Sequence, residues 1–242
     1  MNLFKRIYIL IVPLIFLISC DSEIRPVLFE TSVIKTPSEA DISISIEKAI
    51  GNSELSKTIN FQIEEAIIST LSEATKKTNL NSVLADFNKE YVNFKTDFPD
   101  STEPRWELFI ETEKIYQSEA IITITISTYE FQGGAHGNDK IVILNLNAKT
   151  GEVLNNKDII NMNEEFNSIA ERHFKNSLSQ SDSESTIEDY FFGKSFQLPQ
   201  NIGFSEDGLI LLYNTYEVAS YAQGYTEFII PFEEAKAFLK IN

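Results

Sequence analysis

Residues 122–147 read "ITITISTYEFQGGAHGNDKIVILNLN" and carry the clearest structural signal in the chain. Apolar side chains alternate with polar ones on both sides of the glycine-rich centre, at Ile122, Ile124, Ile126, Val142, Leu144 and Leu146. A period of two is typical of a half-buried β-strand. Gly133 and Gly134 can take positive φ without steric cost, as a tight or bulged hairpin loop requires. The stretch predicts an antiparallel hairpin, with a bulge near Ser127 or Thr128, where the alternation slips.

The chain before the hairpin predicts a mixture of strands and helices. A first strand is expected near residues 27–34, and "DISISIE" at 41–47 alternates cleanly. Apolar residues then recur at three- and four-residue steps from Ser56, and again over 80–95, which predicts two amphipathic helices. A strand beginning at Trp106 leads into the hairpin.

The chain after the hairpin predicts a helix followed by β-structure. The residues with helical spacing are Phe166, Ile169, Ala170, His173, Phe174 and Leu178. His173 lies on that apolar face and is interpreted as a core or boundary histidine, not as a ligand. Residues 209–232 form a long β segment interrupted near Ala219 to Gly224, and 233–239 predict a short closing helix.

Strands and helices in separate runs indicate an α+β fold, with a mainly antiparallel sheet, helices packed against it and two small lobes. We expect an N-terminal α+β domain over 41–155, which contains the GGAHG hairpin, and a C-terminal α+β domain over 156–242. Residues 20–40 are expected to be a tether, and residues 1–19 a signal peptide.

The N-terminus predicts export and lipid anchoring. Lys5 and Arg6 precede an apolar run at residues 7–19, which is shorter than the ~20 residues that span a bilayer. The run ends in "LISC", which resembles the lipobox of bacterial lipoproteins and implies cleavage before Cys20 and acylation of that cysteine. Cys20 is the only cysteine, so no intrachain disulfide is expected. The expected location is the bacterial cell envelope, on the outer membrane, at its periplasmic side or at the cell surface.

The charge balance restricts the class of partner. The chain has 36 acidic and 20 basic side chains, for a formal net charge of −16. An acidic surface argues against nucleic acid as a partner, because phosphates require positive charge. It favours a basic protein, although solubility alone also accounts for it.

The GGAHG loop offers little for catalysis. A phosphate cradle requires a helix after the glycines, whereas a strand follows here. The chain has only two histidines and no HExxH spacing, so no metal and no cofactor are expected. A GxSxG nucleophile elbow is absent. The interpretation is a turn without catalytic residues, and a hydrolase using His136 with Asp139 stays as an alternative.

Two stretches resemble a known family. "TYEFQGGAHGND" and the later "FSEDGLILLYNTYEVASYAQGYTEFIIPF" are similar to two adjacent domains of unknown function in secreted proteins. The pair occurs in the extracellular part of lysozyme-sensing anti-sigma factors, before the catalytic domain of some peptidoglycan deacetylases, and in many lipoproteins. The residues that match the family pattern are Tyr129, Gly133, Gly134, Ala135, His136, Gly208, Tyr213, Tyr216, Glu217, Ala219, Tyr221, Gly224 and Pro231.

The resemblance implies an α+β fold and a role in protein binding, specifically the capture of lysozyme. Because no deacetylase domain is recognised, we expect a non-enzymatic module that binds a basic lysozyme-like protein. The alternative is a module that binds peptidoglycan or another cell-wall glycan through aromatic rings. The candidate binding residues are Tyr129, Gly133, Gly134, His136, Tyr216, Tyr221, Gly224 and Tyr225.

Overall fold

The computed structural model describes residues 26–35, 37–71, 79–180 and 187–241. The expected signal peptide, Cys20 and the first part of the tether lie outside the described residues. No helix within these ranges combines the length and the apolar character that crossing a membrane requires.

The N-terminal part of the chain builds a five-stranded sheet. Its strands are β1 Phe29–Ile34, β2 Asp41–Ala49, β3 Glu107–Gln117, β4 Ile121–Phe131 and β5 Asn138–Asn147, and their spatial order follows the sequence. All neighbouring strands are antiparallel except β2 and β3, which are parallel. Parallel neighbours require a crossover, and helices α1 Glu54–Thr70 and α2 Leu80–Asp97 provide it.

The predicted hairpin is confirmed as β4 and β5, but its predicted bulge is wrong. The pairing runs without interruption from Ile121 opposite Asn147 to Glu130 opposite Asn138. The alternation does not slip, because Thr128 is a buried polar residue whose hydroxyl contacts the Lys140 carbonyl at 3.4 Å. The register shift of this sheet lies instead on β3, between Lys114 and Tyr116.

Helices α1 and α2 cover one face of this sheet. Buried residues of the helices, such as Ile63 and Phe87, pack against alternate strand residues, such as Ile44 and Ile124. The side chain of Ser53 accepts a hydrogen bond from the Ser56 amide at the start of α1, and Asn79 caps α2 in the same way. Since strand side chains alternate between faces, the residues between these apolar positions point away from the helices.

The C-terminal part of the chain builds a separate three-stranded antiparallel sheet. The elements are α3 Asn156–Ile159, α4 Glu164–Gln180, β6 Asn201–Phe204, β7 Gly208–Tyr213, β8 Thr226–Pro231 and α5 Phe232–Ala235. Asn163 caps α4 by accepting a hydrogen bond from the Phe166 amide at 2.8 Å. Phe166 and Phe174 project from α4 and are fully buried. The predicted α+β class with mainly antiparallel sheets is confirmed.

Polar side chains join the two sheets at β5. The side-chain amide of Asn145 donates to the Ile202 carbonyl at 2.7 Å and its oxygen accepts from the Thr123 hydroxyl at 2.9 Å. The side chain of Asn214 bonds both the amide and the carbonyl of Ile141, each at 2.8 Å. These side chains satisfy an otherwise open sheet edge. They also place the segment after Asn214 next to the β4–β5 hairpin.

Candidate functional site

The face of the five-stranded sheet opposite the helices is covered only in part. On the β5 side, Ile143 packs against Ile210 and Leu212 of the second sheet. Over β2, β3 and the end of β4 the face is open and forms a groove of about 460 Å³. We call it the open groove, and its lining includes Ser43, Ser45, Phe109, Glu111, Ser127, Tyr129, Asp139, Ile141 and Tyr225.

An aromatic pair forms one side of the open groove. Phe109 and Tyr129 lie directly opposite each other on β3 and β4, with ring centroids 5.7 Å apart and planes inclined by 18°. The hairpin loop passes close to the Tyr129 ring at Gly137. A Cβ atom added there would lie 2.4 Å from the ring, so only glycine fits without moving the tyrosine. This close approach explains the third glycine of GGAHG.

The loop between β7 and β8, residues 214–225, lies against the hairpin loop. The His136 ring stacks on the Tyr221 ring, with centroids 4.2 Å apart and planes inclined by 18°. Tyr216 follows at 5.7 Å from Tyr221. The Glu217 carboxylate holds the base of the loop by accepting hydrogen bonds from the Asn214 amide at 2.9 Å and the Gln200 amide at 3.0 Å.

Tyr216 is the most unusual residue of this loop. It has a φ of +64° and is 58 % exposed. A non-glycine residue in the left-handed region is strained and persists where its surroundings enforce it. The Glu217 hydrogen bonds fix the neighbouring backbone and so support this conformation of Tyr216.

The charges around the groove are negative. Burial, followed by the negative charge of Asp139, raises the pKa of Tyr225 to about 12. Burial, followed by the charges of Glu107 and Asp139, raises the pKa of Tyr129. Within the described ranges, no lysine or arginine lines the groove.

The structure brings the sequence-predicted residues to one surface. Gly133 and Gly134 have φ values of +94° and +96°, as the turn prediction requires, and Gly224 has a φ of +68°. The three glycines allow the backbone turns of the two loops. The groups that this surface offers to a partner are side chains. Tyr129, His136, Tyr216, Tyr221 and Tyr225 supply these groups from the hairpin and the 214–225 loop.

Sequence reasoning missed the strand residues of the groove. Ser43, Ser45, Phe109 and Glu111 lie at the positions of β2 and β3 that alternate with the buried isoleucines. The signal was an aromatic side chain on the polar face of a strand, at Phe109.

The histidines have partners other than a catalytic carboxylate. His136 Nδ1 donates to the Gly137 carbonyl at 2.8 Å, so in the hydrolase alternative this nitrogen is bound to the backbone and not to Asp139. His173 Nε2 lies 3.2 Å from Glu234 Oε1, at the boundary between α4 and α5. In the part of the chain that the structure describes, no group of three or more His, Cys, Asp or Glu residues could hold a metal ion.

Comparison with known proteins identifies two domains. Residues 34–139 match the family described as "Deacetylase PdaC" and residues 156–233 match the family described as "Protein of unknown function (DUF3298)". The open groove lies mainly in the first domain, and the 214–225 loop lies in the second. No curated protein matches the chain.

Two crystal structures show the same fold. A DUF3298 family protein from Pseudomonas aeruginosa PAO1 has 20% identity and a TM-score of 0.65, covering 89% of this chain and 95% of its own. A DUF3298 family member from Bacteroides fragilis NCTC 9343 has 19% identity and a TM-score of 0.66, covering 88% and 94%. The chain thus matches the PdaC family model and then the DUF3298 family model, in agreement with the resemblance of its hairpin and tyrosine-rich loop to paired domains of unknown function linked to deacetylases.

Proposed function

We propose that this protein is a non-enzymatic binding module of the bacterial cell envelope, anchored by lipid on Cys20, that captures a basic, lysozyme-like protein. The contact surface is the open groove together with the hairpin loop and the 214–225 loop. The observation that carries the proposal is the composition of this surface, in which exposed aromatic rings stand beside carboxylates without a basic side chain in the groove lining. Detection of the Cys20→Ser variant in the membrane fraction would contradict the anchor.

Charge favours a basic partner at this surface. Glu111 and Asp139 line the groove, and the whole chain has a formal net charge of −16. Complementary charge accelerates encounter and orients the partner. Aromatic rings supply the apolar contact area in protein interfaces. The resemblance to the extracellular part of lysozyme-sensing anti-sigma factors supports a lysozyme-like partner.

A cell-wall glycan is the second candidate. Two exposed rings favour it, because Tyr216 is 58 % exposed and Tyr225 is 40 % exposed, and flat exposed rings stack on sugars. The match to the family named "Deacetylase PdaC" also fits a cell-wall ligand. The carboxylates count against it, because peptidoglycan stem peptides are themselves acidic.

The test is titration calorimetry of residues 21–242, which include both sheets and all the helices described above, against a basic lysozyme at low and at near-physiological salt. We expect binding that weakens as salt rises, because screening reduces surface electrostatics. The double variant Glu111→Gln, Asp139→Asn should bind about tenfold more weakly, which corresponds to about 1.4 kcal/mol.

The matched control is the double variant Glu65→Gln, Glu90→Gln. These carboxylates are exposed on α1 and α2, on the opposite side of the sheet, and their loss changes the net charge by the same amount. This variant should bind nearly as well as the parent chain. Absence of binding at either salt would reject the lysozyme proposal. Binding of peptidoglycan fragments that is insensitive to salt and lost in Tyr225→Ala would favour the glycan candidate.

A further inference from the structure

We propose that the open groove is an arginine subsite, which receives the guanidinium group of one arginine from the partner protein. This inference rests on the proposed function in that the partner is basic, and it names the side chain that the groove recognises.

The aromatic pair supplies a stacking surface. The near-parallel rings of Phe109 and Tyr129 project from adjacent strands on the open face, and Phe109 is 37 % exposed. A planar guanidinium stacks on aromatic rings and is more weakly hydrated than an ammonium group, so its desolvation costs less. A compact lysine ammonium gains less from such a surface.

The carboxylates supply the hydrogen-bond acceptors. Glu111 on β3 and Asp139 on β5 line the same groove from two strands. An ionised carboxylate has two oxygens with about four acceptor positions, so Glu111 and Asp139 can each accept several N–H donors. The five N–H donors of a guanidinium match paired carboxylate oxygens, which a lysine cannot do in a bidentate way.

Among the residues that the structure describes, the rest of the groove lining provides further acceptors and no basic side chain that would neutralise Glu111 and Asp139. The hydroxyls of Ser43, Ser45 and Ser127 line the groove and can accept remaining N–H donors. An incoming cation therefore meets carboxylates that no basic side chain of the groove lining neutralises.

The test uses small probes and nuclear magnetic resonance of residues 21–242 labelled with ¹⁵N. N-acetyl-arginine amide should shift the backbone amide signals of Glu111, Ser127, Asp139 and Tyr225. N-acetyl-citrulline amide has nearly the same shape without the charge, and it should bind about tenfold more weakly, since charge-assisted hydrogen bonds are lost. N-acetyl-lysine amide should also bind more weakly than the arginine probe.

The Glu111→Gln, Asp139→Asn variant should lose the arginine-induced shifts, and the Glu65→Gln, Glu90→Gln control should keep them. Equal binding of citrulline and arginine, or of lysine and arginine, would overturn the inference. Shifts confined to residues outside the groove would overturn it as well. Arginine binding without lysozyme binding would reject the proposed partner and keep the subsite. Lysozyme binding without shifts in the groove would keep the partner and reject the subsite.

Discussion

Replacing Phe174 with alanine should lower the free energy of unfolding by about 3–5 kcal/mol. The side chain projects from α4, is fully buried and contacts five other aromatic rings, those of Tyr190, Phe191, Phe196, Tyr213 and Phe228, at centroid distances of 5.2–5.8 Å. Truncation removes apolar burial and leaves a cavity that rigid rings cannot readily fill. Urea denaturation followed by circular dichroism measures the change.

Phe192→Ala is the matched control, because that ring is 65 % exposed in the same part of the chain. Surface substitutions usually change stability by less than about 0.5 kcal/mol. Phe192 also has a φ of +50°. Alanine and phenylalanine are both disfavoured at this φ, so the substitution leaves the backbone strain nearly unchanged. If the two variants were equally stable, Phe174 would not be the centre of the C-terminal core.

The Asn145→Ala variant should lose about 2–3 kcal/mol, because the substitution leaves two buried groups without their partner. The Ile202 carbonyl would lose the Asn145 side-chain amide, and the Thr123 hydroxyl would lose its acceptor. Both groups lie where the two sheets meet. The contact between the sheets places the 214–225 loop beside the hairpin, so this loop should also become more mobile. Urea denaturation gives the stability, and amide hydrogen exchange of residues 214–225 reports the loosening.

Asn176→Ala provides the comparison, because Asn176 is exposed on α4. We expect its stability to stay within about 0.5 kcal/mol of the parent chain. A similar small change in Asn145→Ala would mean that the polar contacts between the sheets are replaced by water without loss. In that case apolar packing, such as that of Ile143 against Ile210, would hold the sheets together.

Periodicity was sufficient to predict the longer elements, α1, α2, α4 and strands β2 to β5, because each one buries a regular set of side chains, whereas α3 and the fully buried β6 were not predicted. The isoleucines of β4 and the apolar stripe of α4 are local patterns that any packed sheet or helix must show. The parallel pairing of β2 with β3 is different, since it depends on where α1 and α2 return the chain. The bulge was misplaced because a buried Thr128 breaks the apolar pattern without changing the register.

The site was predictable only in its loops. The glycines and tyrosines of the hairpin and of the 214–225 loop stand out in sequence, because turns and exposed rings depend on local residue types. Phe109 and Glu111 were not grouped with the loop residues, because their meeting with Asp139 depends on strand register across the sheet. The polar hydrogen bonds between the two sheets were also missed. Asn145 and Asn201 lie in strands, where an asparagine suggests a solvent-facing position, but in the structure they bond across to the other sheet.

The most direct test of the account is hydrogen–deuterium exchange of residues 21–242 with and without a basic lysozyme. We expect lysozyme to slow the exchange of three segments: the strand around Phe109 and Glu111, the hairpin loop at 132–137 and the 214–225 loop. These three segments form one surface on the face of the sheet opposite α1 and α2. Protection confined to α1 and α2, with these segments unchanged, would contradict the claim that this surface is the binding site.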